Sequence, residues 1–213
     1  MNRQQEYGFD GIIINLPGRP KNWKDYALEF STQDDKQIIK WKNNITTYMP
    51  PDDNPNSYKN DHEALLHADY QQEGLGGPEL FRFSGYVWNT WHAASLWDIP
   101  SNRLLDKESD YPQWFTGGLQ IAQKLAPEIS IHVEVFSPFT HLMELFGYQN
   151  ALIAMLDVPE KCHTLLSIFT KQVKAQIDCY IAHKPDAVLI SSAFAGAGFV
   201  SRAFYQGFVL PYE

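Results

Sequence analysis

Cysteine is scarce: the chain of 213 residues has two, Cys162 and Cys179. Both fall on one predicted helix, 17 positions apart. That is about 25 Å along the axis, too far for a disulfide. A disulfide framework is therefore excluded, and a reducing cytoplasm is the expected compartment. Long apolar runs are also missing. Stretches such as Ile12-Ile13-Ile14 fall far short of the roughly 20 residues a bilayer-crossing helix needs. No cationic stretch followed by an apolar run marks a secretory signal at the N-terminus. Positive charge is not in excess: the formal net charge is −8, which disfavours a nucleic-acid partner. Nucleotide-binding signatures are absent as well. Ser191 to Gly198 lacks the lysine and spacing of a P-loop, and Gly196-Ala197-Gly198 alone is not a dinucleotide fingerprint. There is no internal repeat and no low-complexity tract.

What is present is a globular composition. With 44% hydrophobic and 14% aromatic residues, the chain can bury a sizeable single core. Gly11 to Asn15 holds a continuous apolar run suited to a strand buried on both faces. Trp23 to Phe30 has no clear periodicity. Gln37 to Tyr48 mixes β-branched and aromatic residues with lysines, a strand pattern. Met49 to Asn56, with three prolines among Asp and Asn, predicts a loop. Asp61 to Asp69 predicts a helix, broken by Gly74 to Pro78. Phe81 to Trp88 predicts a strand, with Gly85 placed for a bulge. Phe115 to Leu125 predicts a helix ended by Pro127.

The rhythm is clearest at the end of the chain. Ile129 to Phe136 predicts a strand. Ser137-Pro138 opens a helix that Gly147 should close in a left-handed turn. Asp157 and Glu160 make a capping pattern for a long helix running to about His183. Its apolar stripe is Leu165, Phe169, Val173, Ile177 and Ile181, flanked by Leu166 and Tyr180. Asp186 to Ser192 predicts the next strand, and small residues follow to Phe199. Strands alternating with long helices imply a parallel α/β sheet or barrel, with chemistry at the C-terminal ends of the strands.

Candidate site residues follow from that placement. In the strand ending at Phe136, Ile129, Ile131, Val133 and Val135 share one face, while Ser130, His132, Glu134 and Phe136 share the other. His132 and Glu134 are then a candidate acid/base or ligand pair; a half-exposed edge strand or an internal ion pair gives the same pattern. His141 and Glu144 lie three apart on one helix face, two groups too few to specify a metal. A solvated helix face explains His141 equally. Ser191 and Ser192 end a strand before a loop of small residues, which admits a large flat ligand or a tight packing contact. Asn15 and Arg19 follow the first strand. Arg19 is a candidate carboxylate clamp or a surface residue. Cys162 and Cys179 read as buried helix residues.

Four segments, in order, carry a resemblance. They are Ser137 to Gly147 (Ser-Pro-Phe-Thr-His-Leu-Met-Glu-Leu-Phe-Gly), Asp157 to Glu160, Asp186 to Ser192, and Phe204 to Tyr212. Together they resemble landmarks of the uroporphyrinogen decarboxylase superfamily. That superfamily holds uroporphyrinogen decarboxylase and the zinc-dependent methyltransferases that move a methyl group from a corrinoid protein to a thiol. Residues 128–213 carry the likeness, with a weaker match from Tyr7 to Leu16. The resemblance implies a (β/α)8 TIM barrel. At 213 residues the chain is shorter than the typical ~250 of that fold. The expectation is therefore one partial barrel domain, cut at both ends, with an insertion around residues 20–115. A compact smaller α/β domain is the alternative.

The resemblance also implies site chemistry. In the decarboxylases an active-site tyrosine sits where this chain has Glu144, and an aspartate contacts substrate pyrroles where this chain has Asn15-Leu16-Pro17. Both departures, with the Ser-Ser-Ala-Phe-Ala-Gly-Ala-Gly loop, lean towards the methyltransferases. On that reading His132, Glu134 and Glu144 are the catalytic candidates. Asn15, Arg19, His141, Ser191 and Ser192 are the substrate-binding ones. The expected partner is a tetrapyrrole small molecule or a methylated corrinoid protein, with no nucleic acid and no membrane; a homo-oligomer is allowed. No metal ligands are assigned within these residues, because the His-x-Cys motif that would hold zinc is expected beyond residue 213. Cys162-His163 does not replace it, since adjacent helix residues diverge. Uroporphyrinogen decarboxylation is the second reading and a non-catalytic binding module the third.

Overall fold

A computed structural model describes residues 8, 10–15, 18, 20–42, 44–52, 56–59, 63–64, 67–77, 80 and 104–213. The strand expected from Phe81 to Trp88 and the candidate Arg19 lie outside the described residues. Two sheets organise the described residues. One is parallel, with spatial order β1 (Gly11–Ile14), β7 (Ser130–Phe136), β8 (Ala187–Ser191). The other is an antiparallel meander of β2 (Ala27–Gln33), β3 (Lys36–Trp41), β4 (Ile45–Met49), β5 (Asn56–Lys59) and β6 (Glu63–Ala64). The parallel sheet with its helices is mixed α/β architecture, compatible with part of a TIM-like fold.

The alternation read in β7 holds. Ile131, Val133 and Val135 are buried, and Ser130, His132, Glu134 and Phe136 are half-buried. Each buried side chain stabilises the fold by roughly 1.5–3 kcal/mol. They pack on α1 (Gly117–Leu125), through Leu119, and on Val173 and Tyr180 of a long helix from the other side of the chain. Tyr111 and Phe115 complete this core.

Between β7 and β8 lie three helices: α2 (Pro138–Phe146), α3 (Tyr148–Asp157) and α4 (Pro159–Ile181). α3 is a correction, because the sequence pattern gave one helix starting at Asp157. The segment Ala151 to Met155 buries Ala151, Ala154 and Met155, and Gly147 provides its N-cap without a side-chain bond. Asp157 therefore ends α3 instead of capping α4. The N-cap of α4 is Val158, with no side-chain bond, and the Asp157 carboxylate accepts from the Tyr70 hydroxyl at 3.4 Å. Gly147 has φ 76° and ψ 148°, an extended glycine conformation rather than a left-handed helical turn. The α4 stripe is shorter than read: Leu165, Leu166, Phe169, Val173 and Tyr180 are buried, but Ile181 is exposed. Phe139, Phe146, Leu142, Leu165, Leu166 and Val209 fill the second core.

The segment read as a helix from Asp61 to Asp69 is also corrected. Its described part pairs Glu63–Ala64 with β5, and residues 67–69 are not helical. Tertiary pairing overrides local helix preference: Ala68 N–H donates to the Leu145 carbonyl at 2.7 Å, at the end of α2. Gln37 to Tyr48 holds two strands, β3 and most of β4. β2 and β3 join through Asp34-Asp35, both at positive φ, a two-residue hairpin turn. Ile39, Trp41 and Ile45 form the core of this sheet, and Trp114 packs on both it and the β7 core. After β8 comes a short α5 (Arg202–Phe204), capped by Ser201, which runs into a π-helical turn over Tyr205–Val209.

Candidate functional site

β7 and β8 end together at one rim, and the pairing of β1 stops three positions earlier. β1 registers with β7 as Ile13↔His132 and Ile14↔Val133, so Asn15 emerges one residue beyond the last pair. β7 registers with β8 as Glu134↔Leu189 and Phe136↔Ser191. Ser137 N–H donates to the Ser191 carbonyl at 2.9 Å, carrying the ladder one step past the strand end.

That step is where polar groups collect. Ser137 is fully buried, and its hydroxyl accepts the Thr140 N–H at 3.1 Å, capping α2. With Pro138 in the first turn, the cap fixes where the helix starts. The Ser137 hydroxyl also reaches Thr140 Oγ1 at 3.2 Å and Ser192 Oγ at 2.9 Å. Thr140 Oγ1 donates to the Ser191 carbonyl at 3.2 Å, and Ser192 Oγ donates to Glu213 Oε1. Three hydroxyls supply three protons for these four side-chain contacts. At least one of these contacts therefore lacks a proton, and the exposed Glu213 carboxylate is the acceptor that a ligand reaches. Ser191 and Ser192 were read as site residues and do lie at the rim. Ser137, Thr140 and Glu213 were not. The helix-cap signal at Ser137-Pro138 was visible, but nothing in the sequence links Glu213 to Ser192.

His132 and Glu134 share the half-buried face of β7. The His132 ring bonds Ser130 Oγ through Nε2 at 2.9 Å, so it is held towards the start of the strand, away from the rim. The expected His132–Glu134 pair is not a hydrogen-bonded one among the described residues.

His141 and Glu144 lie on α2, both half-buried. The His141 ring sits 5.5 Å from the Phe169 ring, and burial pushes its pKa down to about 4. Burial pushes the Glu144 carboxyl up to about 8. At neutral pH α2 thus carries an uncharged imidazole and an uncharged carboxylic acid, a proton acceptor and a proton donor. The end of α2 is held by a strap from residue 67 onward. His67 Nδ1 meets the Glu144 carbonyl at 2.9 Å. The Lys161 ammonium donates to the Tyr70 carbonyl at 2.6 Å and to the Gln72 carbonyl. Gly147 faces the His67 ring, where a Cβ would lie 2.8 Å from Cδ2.

The zinc that the resemblance implies finds no fit among the described residues: no three His, Cys, Asp or Glu side chains converge. Cys162 and Cys179 are buried and unpaired with each other, and burial pushes their thiols up to about 11 and about 12. Neither is poised as a thiolate ligand. No helix among the described residues is long and apolar enough to cross a membrane.

Beside the rim, the loop after Ser192 is exposed except at Phe194 and Ala195, which are half-buried against the second core. Gly198 has open space where a Cβ would be. Phe194 and Phe199 pack on Tyr148 at ring distances of 6.0 and 5.8 Å, with Tyr148 and Phe199 exposed. The rim thus pairs a hydroxyl chain with a small-residue, aromatic-flanked platform.

Comparison with known proteins gives one family. No curated protein matches the chain. A family model described as Uroporphyrinogen decarboxylase (URO-D) matches residues 92–213. This segment holds β7, α2, α3, α4, β8 and the whole hydroxyl chain, and it is more than half of the sequence. The chain belongs to the uroporphyrinogen decarboxylase family.

Proposed function

We propose that the protein acts in corrinoid chemistry, on a barrel that this chain forms in part, transferring a methyl group from a methylated corrinoid protein to a thiol. In that reaction the methyl–cobalt bond breaks, a carbon–sulfur bond forms, and the thiol proton is released. The observation that carries the reading is the character of the rim. Asn15, Ser191, Ser192 and Glu213 bring amide, hydroxyl and carboxylate groups to the C-terminal side of the sheet. A substrate bearing many carboxylates would meet like charge there. A large, flat, largely apolar partner suits the open Ala193–Phe199 platform and its aromatic neighbours. The chain's own residues would seat that partner: Ser192, half-buried at the rim, offers a hydroxyl, and the exposed Glu213 accepts a proton-bearing group. Zinc has no ligand set among the described residues, so this reading assigns it none.

Decarboxylation of uroporphyrinogen is the second reading. What favours it is Glu144, which burial keeps protonated up to about pH 8 and which could donate a proton in acid catalysis. One experiment separates the two. The purified protein is incubated with a methylated corrinoid protein and a thiol, and in parallel with uroporphyrinogen. Thiol-dependent loss of the corrinoid methyl group, with thioether formed in equal amount, is the expected result. Carbon dioxide release from uroporphyrinogen without methyl loss would overturn the methyl-transfer reading.

A further inference from the structure

Away from the rim, the antiparallel sheet carries a cleft of about 360 Å³. Cross-strand register decides which side chains share its face. Phe30 pairs with Ile39 and Ile39 with Thr47; Thr32 pairs with Gln37 and Gln37 with Met49. Residues directly opposite in a sheet point to the same side, so these two rows form one surface. Ile39 is its buried floor, at 2% exposure, and Phe30 is a wall left 52% exposed. Trp23 closes one side. Its ring meets Phe30 edge-on at 5.9 Å and tilts against Trp41 at 6.1 Å. Met49 forms the opposite wall, while Thr32 and Gln37 bring polar groups to one end.

One charge stands at the cleft. The Lys24 ammonium lies 5.8 Å from the Trp23 ring centroid, and no carboxylate lines the cavity. Lys24 makes no ion pair among the described residues. The Glu29–Lys40 pair, 3.0 Å apart, lies on the other face: Lys40 is one residue from Ile39 along β3, and side chains alternate. The cavity is at the small end of the ~300–1,000 Å³ range of ligand pockets. An exposed phenyl wall beside a buried floor is apolar surface that a ligand would cover.

We infer that this cleft binds a small aromatic carboxylate of one or two rings, its ring slotted between Trp23, Phe30 and Met49 and its carboxylate facing Lys24. The ring gains edge and face contacts with two aromatic walls. Among the described residues lining the cleft, the carboxylate meets one cation and no opposing acid. The rim chemistry plays no part in this site, so it stands or falls separately from the proposed activity.

The test uses the full chain with 2-naphthoate and its neutral amide, 2-naphthamide, followed by calorimetry and ligand-observed NMR. Saturable binding of one 2-naphthoate per chain is expected, about fivefold tighter than the amide, the size of an exposed charge pair. Lys24→Gln should abolish the preference while leaving amide binding intact. Phe30→Ala, at a half-exposed position, should weaken both ligands about tenfold. Circular dichroism confirms that each variant folds. Absent saturation, a naphthoate preference that survives Lys24→Gln, or binding untouched by Phe30→Ala would each overturn the assignment.

Discussion

Replacing Glu144 with Gln should stabilise the protein, and by an amount that grows with pH. The carboxyl's ordinary value is 4.5, and burial lifts it to about 8. The folded state therefore holds a proton that the unfolded chain gives up between those values. Stability is fully present below pH 4.5 and is lost as pH rises through 8. At ~1.4 kcal/mol for each tenfold change in proton affinity, the loss has a ceiling of about 4–5 kcal/mol. Glu144 is only half-buried, and local relaxation and water screen the carboxylate, so about 2 kcal/mol is expected. Gln keeps the shape and polarity but never ionises. Denaturant unfolding of wild type and Glu144→Gln at pH 4.5, 6, 7.5 and 9 reads the difference directly. The two should coincide at pH 4.5 and separate by about 2 kcal/mol at pH 9. His141 supplies the opposite control. Its pKa is lowered from 6.5 to about 4, so it costs stability only as pH falls below 6.5. A Glu144→Gln difference that is constant with pH would refute the claim that this carboxyl is neutral in the fold.

Other expectations follow from single contacts. Gly147→Ala puts a Cβ 2.8 Å from His67 at φ 76°, and should cost about 1–3 kcal/mol in equilibrium unfolding; a neutral effect would mean the strap does not pack there. Ser137→Ala removes the α2 cap and the link to Ser192, and should cost about 1–2 kcal/mol. Restoration by Ser137→Thr would tie the loss to the hydroxyl. Cys162 and Cys179, with thiols pushed up to about 11 and about 12, should react with a thiol reagent at pH 8 only after denaturant is added. Rapid native labelling of both would contradict their burial. Among the described residues, β1 and β8 each pair only with β7, and Ile13, Leu189 and Ile190 are exposed. The protein should self-associate in light scattering, and a monomer at every concentration would refute the open-edge picture.

Where sequence and structure agree, the physics is local. The alternation of Ile131, Val133 and Val135 with polar neighbours needs only the two-residue repeat of a strand. Ser137-Pro138 needs only the preferences of a helix start. Failures arise where a contact spans the chain. α3 has no Ser, Thr, Asp or Asn cap, because Gly147 serves both helices, so a glycine read as an end was also a beginning. The β2–β3 turn uses Asp34-Asp35 without a glycine, which hides the usual hairpin signal. Asp61 to Asp69 has helical composition, but its neighbours claim its backbone first: β5 takes Glu63 and Ala64, and the end of α2 takes the Ala68 N–H, with the His67 ring bonded beside it. Glu213 and Ser192 are 21 residues apart and meet only because the turns after β8 fold back. For His132, strand geometry gave the face correctly but not the partner, which is Ser130.

The state of α2 can be decided by magnitude. His141 and Glu144 are three residues apart on one helix face, where an ion pair is the usual expectation. Moving the proton from Glu144 to His141 must overcome the gap between about 8 and about 4, which is about 5 kcal/mol. Even at 4 Å, two opposite charges in a partly buried setting recover about 4 kcal/mol. The neutral pair therefore wins, and it wins because desolvation acts on both groups while attraction acts once. The consequence is chemical as well as structural. From about pH 4 to about pH 8 the helix holds a carboxylic acid that still has its proton and an imidazole that lacks one. A helix whose first turn builds the rim through Ser137 and Thr140 thus also carries an uncharged imidazole one turn on and, at the next, a carboxylic acid that can donate its proton near neutral pH.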